Sequence, residues 1–330
     1  MKTAGAALLA IIAACALLAP WLAPNAPDRR FTDLLYAPPT SVAVSDGGLH
    51  APFIRPWQLV NRLRREFTPA EHPVTLRWFA DGHLVTADPD AGSPLLLLGA
   101  DAYGRDVLSR LLHGARTTLA LAAVAAIGAT LLGLLLGGAS GASGGWVDAA
   151  LSRLTEFVLV IPAIYAALAI RAVLPLVLPA STVFLLLTAI FAILGAPIVA
   201  RGVRAIVLTE REQEYVLAAR SAGAGPMRLL LRHLLPAARG HAAVQATLLF
   251  PAFVVAEATL SYVGLGFPVT TPTWGTMLRD ASNISLLADM PWLLAPAAVI
   301  FFAVLGANLV VQGSGRPPVQ LDGSVRSVRL

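Results

Sequence analysis

Few residues of this chain could do chemistry, and their types narrow what that chemistry is. Glu257 is a lone carboxylate inside the apolar run 242–263. A carboxylate in such a run is costly in lipid and is by default a functional candidate, for gating or for ion movement. The competing reading is a hydrogen bond that ties one helix to another. The six histidines, His50, His72, His83, His113, His233 and His241, are scattered. His72 and His83 have acidic neighbours, but loop histidines are more often simply solvated, so no metal site is assigned. Lys2 is the only lysine and lies in no glycine-rich motif, so there is no P-loop lysine to meet nucleotide phosphates. H-E-x-x-H does not occur. The chain is therefore expected to be no enzyme, with no catalytic residue and no cofactor of its own. If ATP drives its action, the ATPase is another polypeptide.

The arginines point elsewhere. Residues 214–236, EYVLAARSAGAGPMRLLLRHLLP, are polar and arginine-rich between strongly apolar segments. Residues 214–221 are good helix formers, and Ala222-Gly223-Ala224-Gly225 ends that helix and permits a turn. Pro226 suits the first position of a new helix, because its missing N–H is not needed there. That second helix, 227–235, is expected to stop at Pro236. Arg228 and Arg232 share a face at i, i+4. Leu229, Leu230, Leu231, Leu234 and Leu235 are more apolar than a solvated helix requires. Such a helix lies on a membrane surface or inserts into a groove on a partner, and residue chemistry alone leaves both open.

The elements that must position these residues are membrane helices. Of 330 residues 57% are hydrophobic and 13% charged, against roughly a quarter charged in a soluble domain. The mean hydropathy is +0.72, which predicts a polytopic membrane protein. Six spans are expected, at about 4–23, 117–138, 155–178, 182–200, 242–263 and 291–311. Gly133 and Gly137 form a G-x-x-x-G suited to close helix packing within the chain. The Gly/Ser-rich stretch 139–145 reads as a flexible loop. Pro162 and Pro175 are expected to be tolerated inside the third span, and Arg171 to snorkel from its outer end. Trp274 and Trp292 read as interfacial belt residues, Trp274 equally as part of an outer mouth. The one cysteine, Cys15, excludes an internal disulfide. Residues 12–15 loosely resemble a lipoprotein cleavage site, but the apolar run continues through Trp21 and Leu22, as in an uncleaved anchor.

Residues 24–116 carry ten arginines and ten acidic residues and are rich in Pro, Gly and Asp. Within them, 74–85 predicts a hairpin around Asp81-Gly82, so a small outer subdomain of partly β character is expected. Residues 201–241 carry seven arginines against Glu210, Glu212 and Glu214. A short net-positive loop belongs in the cytoplasm, and Lys2 favours an inside N-terminus. Six spans then put both termini inside. The tail 312–330 is polar and expected to be disordered. The net charge of +5 is almost wholly arginine. No basic run is interleaved with aromatics, so no nucleic acid is expected as partner.

Three stretches carry a family resemblance. Glu214-Tyr215-Val216, Ala218-Ala219-Arg220, Gly223-Ala224, Arg232-His233 and Leu235-Pro236 resemble the EAA loop of ABC-importer permeases. Three residues separate Glu214 from Ala218-Ala219, as in the peptide-permease branch, and the Ala219-to-Gly223 spacing fits. Residues 98–116, LGADAYGRDVLSRLLHGAR, are similar to the segment before the second span of C-type subunits in the dipeptide/oligopeptide/nickel branch, with Ala100 in place of threonine. Residues 257–277, EATLSYVGLGFPVTTPTWGTM, resemble that branch's E-x-x-L-S-F-L-G-L-G…P-x-W-G-x-M, with Tyr262 in place of phenylalanine. The resemblance covers about 98–311. The outer region before Leu98 is longer than usual, and the end after Asn308 lacks the usual Gly-Asp-x-Leu-Arg.

The resemblance implies an all-α polytopic membrane protein of about six transmembrane helices, with the type I ABC-importer permease fold, in the inner membrane of a bacterium. Its domains would be an N-terminal helix 1–23, an extracytoplasmic region 24–116, a permease core 117–311 with the cytoplasmic coupling loop 201–241, and a cytoplasmic tail 312–330. It implies transport of peptides or peptide-like solutes by alternating access. The partners implied are a second, B-type permease subunit, two cytoplasmic ATPase subunits that hold ATP and Mg, an extracytoplasmic solute-binding protein and membrane lipid. ATPase coupling would fall to Glu214, Ala218, Ala219, Gly223, Arg228, Arg232, Leu235 and Pro236. Asp101, Gly104, Arg105 and Asp106 would form an outer-segment motif, and Glu257 and Trp274 would gate or hold the structure. Two rivals stand beside it: an ion-coupled secondary transporter or channel using Glu257, and a membrane-bound enzyme with its site in the outer loop.

Overall fold

The computed structural model describes residues 2–45, 49–62, 64–87, 93–173, 175, 178–282 and 287–312. The expected tail beyond 312 lies outside the described residues. The chain is built mainly from helices: α1 (Lys2–Leu17), α2 (Ala19–Leu22), α3 (Val107–Ser143), α4 (Gly145–Val160), α5 (Ala163–Val173), α6 (Ala180–Glu210), α7 (Glu214–Ser221), α8 (Pro226–Leu229), α9 (Leu235–Val263), α10 (Trp274–Asp280) and α11 (Ala295–Gln312).

Four helices are long and apolar enough to cross a membrane: Val107–Ser143, Ala180–Glu210, Pro226–Val263 and Pro291–Gln312. A fifth arises if α4 and α5, bent by 88° at their junction, are one broken span. The expected six are thus four or five by length and composition among the described residues. The first run falls short because α1 has only 16 residues, about 24 Å of helix, before the chain turns at Leu18 into α2. The third run breaks at Pro162, where proline removes a helical N–H, instead of passing through it.

Several boundaries differ from the sequence reading. The second span starts at Val107, ten residues early, because Asp106 caps it and Arg110 finds buried partners. Residues 139–143 are helix rather than flexible loop; the chain turns at Gly144 and Gly145, with φ of +66° and +58°. The fourth span runs on to Glu210, so the first ten residues of the expected 201–241 loop are helix. Arg171 does not snorkel: it is 1% exposed, and its guanidinium donates to the Pro175 carbonyl at 3.0 Å.

The core of the bundle is the parallel pair α3 and α6. A Cβ on Gly133 would lie 2.4 Å from the Val199 side chain, and one on Gly137 2.3 Å from the Ala200 carbonyl. One on Gly141 would meet Val207 at 2.8 Å. Small residues at i, i+4 and i+8 thus let the two backbones approach within the chain. α9 packs on both, with Phe253 stacked on Phe191 at 5.3 Å. α1 and α11 run antiparallel, Gly5 against Gly306 and Leu309. That contact puts the start of α1 and the end of α11 at one end of the bundle, the end where α6 finishes and α7 begins. The opposite end holds the start of α3, the end of α9, α10 and the strands.

Among the described residues those strands form three small antiparallel sheets: β1 (Val42–Ser45), β2 (Leu49–Ile54) and β5 (Val74–Thr75); β3 (Trp57–Asn61) with β4 (Glu66–Pro69); β6 (Arg77–Ala80) with β7 (His83–Thr86). The β6–β7 hairpin turns at Asp81-Gly82, both at positive φ, as a two-residue hairpin with right-handed twist demands.

Candidate functional site

At the α6–α7 end, residues 214–236 form a helix, a turn and the start of a long helix. α7 is anchored by Val216, and the next helix by Leu229 and Leu234, all buried. Gly223 supplies the turn with φ +85°, a conformation that side-chain-bearing residues rarely adopt. A Cβ there would meet nothing within 4 Å, so the requirement is conformational and not one of space. The N–H of Ala224 returns to the Ala219 carbonyl at 3.0 Å, and that of Gly223 to Arg220.

The second helix does not stop at Pro236. A π turn at Leu230–Leu234 leads directly into α9, with Pro236 in its first turn, and the apolar helix is continuous over Pro226–Val263. The N–H of Leu235 reaches back five residues to Leu230. That wider turn accommodates the ring and missing N–H of proline, which a regular helix interior would not.

Of the coupling candidates, Glu214, Ala218, Gly223, Arg228, Arg232 and Pro236 are exposed; Ala219 and Leu235 are half-buried. Beside them, Tyr215, Leu217, Met227 and Leu231 are exposed apolar side chains. The result is a mixed apolar and cationic surface. Behind it lies a polar brace that the sequence reading missed. The carboxylate of Asp148 on α4 receives both arms of Arg204 on α6, at 2.6 and 2.7 Å, and the Ser140 hydroxyl of α3 at 2.5 Å. Such a bidentate pair is geometrically specific. Its members lie 56 positions apart, which no local motif signals.

At the opposite end the two other motifs meet. Asp101 is buried and accepts the N–H groups of Tyr103 and Arg105 on one oxygen and the Arg105 side chain, at 2.7 Å, on the other. Arg105, 1% exposed, also donates to the Val269 carbonyl and to Asp280, each at 3.1 Å. Arg110, fully buried, shares Val269 and donates to the Pro27 carbonyl. Gly104 sits at φ +70°, where a Cβ would lie 2.1 Å from the Phe31 carbonyl oxygen. Asp106 caps α3 through the Leu108 N–H and receives the Ser109 hydroxyl and the Asn25 amide. Burial pushes the carboxyls of both Asp106 and Asp280 up to about 6; at Asp280 the nearby Asp101 adds to this while Arg105 and Arg110 oppose it. Arg110, Asp280 and Asn25 were not singled out from the sequence, because most of their partners lie 70 or more positions away.

Glu257 and Trp274 complete this end. Both are fully buried. One Glu257 oxygen accepts the Thr118 hydroxyl at 2.9 Å and the other the Ser261 hydroxyl at 2.7 Å. The Ser261 oxygen in turn takes the Phe267 N–H, and Thr118 the Trp274 N–H. The Trp274 indole donates to the Leu111 carbonyl at 3.2 Å. A belt residue would face lipid; Trp274 is instead the wedge between α3 and α9. Trp292 is half-buried and donates to the Ala100 carbonyl. This arrangement fastens helices together and presents no free carboxylate. Among the described residues no group of three or more His, Cys, Asp or Glu is placed to hold a metal.

The comparisons with known proteins fall on the same elements. The family model described as "Binding-protein-dependent transport system inner membrane component" matches residues 129–316, from mid-α3 through residues 214–236 and Glu257. The di/tripeptide transport system permease protein DppC of Pseudomonas aeruginosa is 32% identical over 310 residues, 94% of this chain and 84% of that protein. The dipeptide transport system permease protein DppC of Alkalihalophilus pseudofirmus is 35% identical over 216 residues, 65% of this chain and 68% of that protein. The oligopeptide transport system permease protein OppC of Bacillus subtilis is 37% identical over 216 residues, with the same shares of 65% and 68%.

Proposed function

The chain belongs to the inner-membrane permease components of binding-protein-dependent ABC transport systems, and from that premise we propose that it is the C-type subunit of an importer for peptides or peptide-like solutes. The names of its relatives support the solute class. It works with a second, B-type permease subunit, two cytoplasmic ATPase subunits and an extracytoplasmic solute-binding protein. The solute path runs between the two permease chains, so neither chain holds it alone. ATP and Mg are bound by the ATPase subunits.

In this reading α1–α2 and the broken pair α4–α5 each count as one span beside the four long ones, which restores six. The end with residues 214–236 and both termini faces the cytoplasm, where its arginines belong, and residues 24–106 lie outside with the strands. The observation that carries the proposal is the exposed α7–turn–α8 surface joined without a break to α9. ATP-driven closure of the ATPase pair pushes on that surface. The push travels up α9 to Glu257 and the Trp274 wedge, and the spans alternate between outward and inward opening.

Co-isolation of the ATPase tests this. Arg228→Glu with Arg232→Glu, both exposed, is expected to lose ATPase from the purified complex while membrane insertion and the B-type partner are retained. Undiminished ATPase in that variant would remove the docking role. The rival carrier mechanism through Glu257 gains no support from the geometry, because both its oxygens are occupied by hydroxyl donors.

A further inference from the structure

At the end of the bundle opposite the coupling surface, a cleft of about 410 Å³ opens between the β3–β4 hairpin, the turn at Tyr36 and the chain entering Pro291–Leu294. Its walls include Tyr36, Trp57, Phe67 and Trp292, and Arg65 and Asp289 line it with opposite charges. Three features mark it as built. The Trp57 indole N–H is buried and has no hydrogen-bond partner among the described residues, although a buried indole N–H ordinarily finds one. The Arg65 guanidinium lies 4.5 Å from the centre of the Tyr36 ring and makes no hydrogen bond or ion pair with any described residue. Asp289, exposed, makes none either. Tyr36 and Arg65 both hold positive φ, +60° and +52°, which such residues adopt only where surrounding structure imposes it. The backbone that carries the stacked pair is therefore set by the surrounding chain.

The groups left uncommitted have one chemistry in common. A cation and a buried N–H donor suit a carboxylate. A carboxylate beside aromatic faces suits an ammonium group. The volume falls in the range of small-molecule sites, roughly 300–1,000 Å³. We infer that this cleft is a solute subsite on the permease itself, which takes a short zwitterionic peptide by its two termini: the α-carboxylate on Arg65 and the Trp57 N–H, the α-ammonium on Asp289. The inference rests on the peptide-importer reading and deepens it, because it places part of the solute selection on this subunit. Arg64 also lines the cleft but is 3.9 Å from Glu66, so Arg65 is the uncommitted cation.

The test is ligand-observed NMR of the purified four-subunit transporter, without its solute-binding protein, using the dipeptide Ala-Phe and its N-acetylated and C-amidated forms as probes. The free dipeptide is expected to bind, and each blocked form to bind about tenfold more weakly, as loss of one charged hydrogen bond predicts. Arg65→Gln should weaken the free dipeptide by a similar factor yet leave the C-amide unchanged; Asp289→Asn should do the same for the N-acetyl form. Trp57→Phe, which removes only the N–H, should also weaken the free dipeptide. The inference fails if the wild type shows no contact, if binding ignores blocked termini, or if the three variants bind as the wild type does. It fails equally if the cleft is protected only when the binding protein is present, which would make it a protein-docking notch. Binding-protein-dependent, ATP-driven peptide uptake is measured on the same preparation. Uptake without terminus-specific binding sinks this inference alone, whereas no uptake of any peptide sinks the importer reading with it.

Discussion

Both oxygens of Glu257 accept hydroxyl hydrogen bonds, and the donors come from different elements: Thr118 on α3 and Ser261 one turn further along α9. Removing the acceptor orphans two buried hydroxyls and opens a cavity beside Trp274. Glu257→Ala should therefore cost roughly 2–5 kcal/mol of stability, read as a lowered Tm of the purified transporter. Glu257→Gln preserves the shape and an acceptor, so most ATP-driven uptake should persist; a carrier that protonates this side chain would lose transport in the same variant. At the other cluster the sign of a pH effect can be stated. Asp280 is raised to about 6 from an ordinary 3.8, chiefly by burial. The folded protein thus holds that proton more tightly than the unfolded chain does. Its contribution to stability is complete below about pH 4 and is lost as pH rises through about 6. Asp106, also raised to about 6 by burial, acts in the same direction. Asp280→Asn should flatten the fall in Tm between pH 4.5 and 7, by an amount bounded by about 3 kcal/mol. An unchanged slope would show that Asp280 is not the titrating group.

Among elements, the coupling stretch was the most legible and also the most instructive where it was not. Gly223 and Pro226 announce a turn and a helix start, and both do that. Pro236 announces a stop and does not make one, because a π turn ending two residues upstream absorbs it; no local pattern signals that turn. Gly223→Leu places a branched side chain at φ +85°, at a cost of about 1–2 kcal/mol. It should distort the turn enough to reduce stimulation of ATPase activity by loaded binding protein, with insertion intact. Normal stimulation would count against the turn's role. The start of α3 was misplaced by ten residues because Arg110, His113 and Arg116 look like loop. Arg110 is instead buried, and its two terminal nitrogens donate to carbonyls of Pro27 and Val269, partners from distant chain. Gly133 and Gly137 signal close packing within the chain, but not that α6 is the partner. Gly137→Leu meets the Ala200 carbonyl and should destabilise by about 1–3 kcal/mol or more, seen as loss of folded protein on size-exclusion.

At the scale of the whole molecule the chain has two working ends joined by α3, α6 and α9. One end carries exposed arginines and both helix termini of the α1–α11 pair; the other carries strands, the buried Asp101–Arg105–Asp280 network and the Trp274 wedge. Composition and apolar runs were enough to establish a polytopic membrane protein, and the three motifs were enough to suggest the family. The span count was less legible, since Leu18 and Pro162 break runs that average hydropathy treats as continuous. The meeting of residues 98–116 with 257–277 was not legible at all: each is a separate motif in sequence, and only the fold brings Arg105 to Val269 and Thr118 to Glu257. The central claim is that ATP hydrolysed on another subunit drives transport through this chain by way of residues 214–236. The most direct measurement is peptide uptake into proteoliposomes containing this subunit, its B-type partner, the ATPases and the loaded binding protein, energised either by ATP or by a proton gradient alone. Uptake should require ATP, be indifferent to collapse of the gradient and be lost in the Arg228→Glu, Arg232→Glu variant. Uptake driven by the gradient with the ATPase subunits left out would contradict the account.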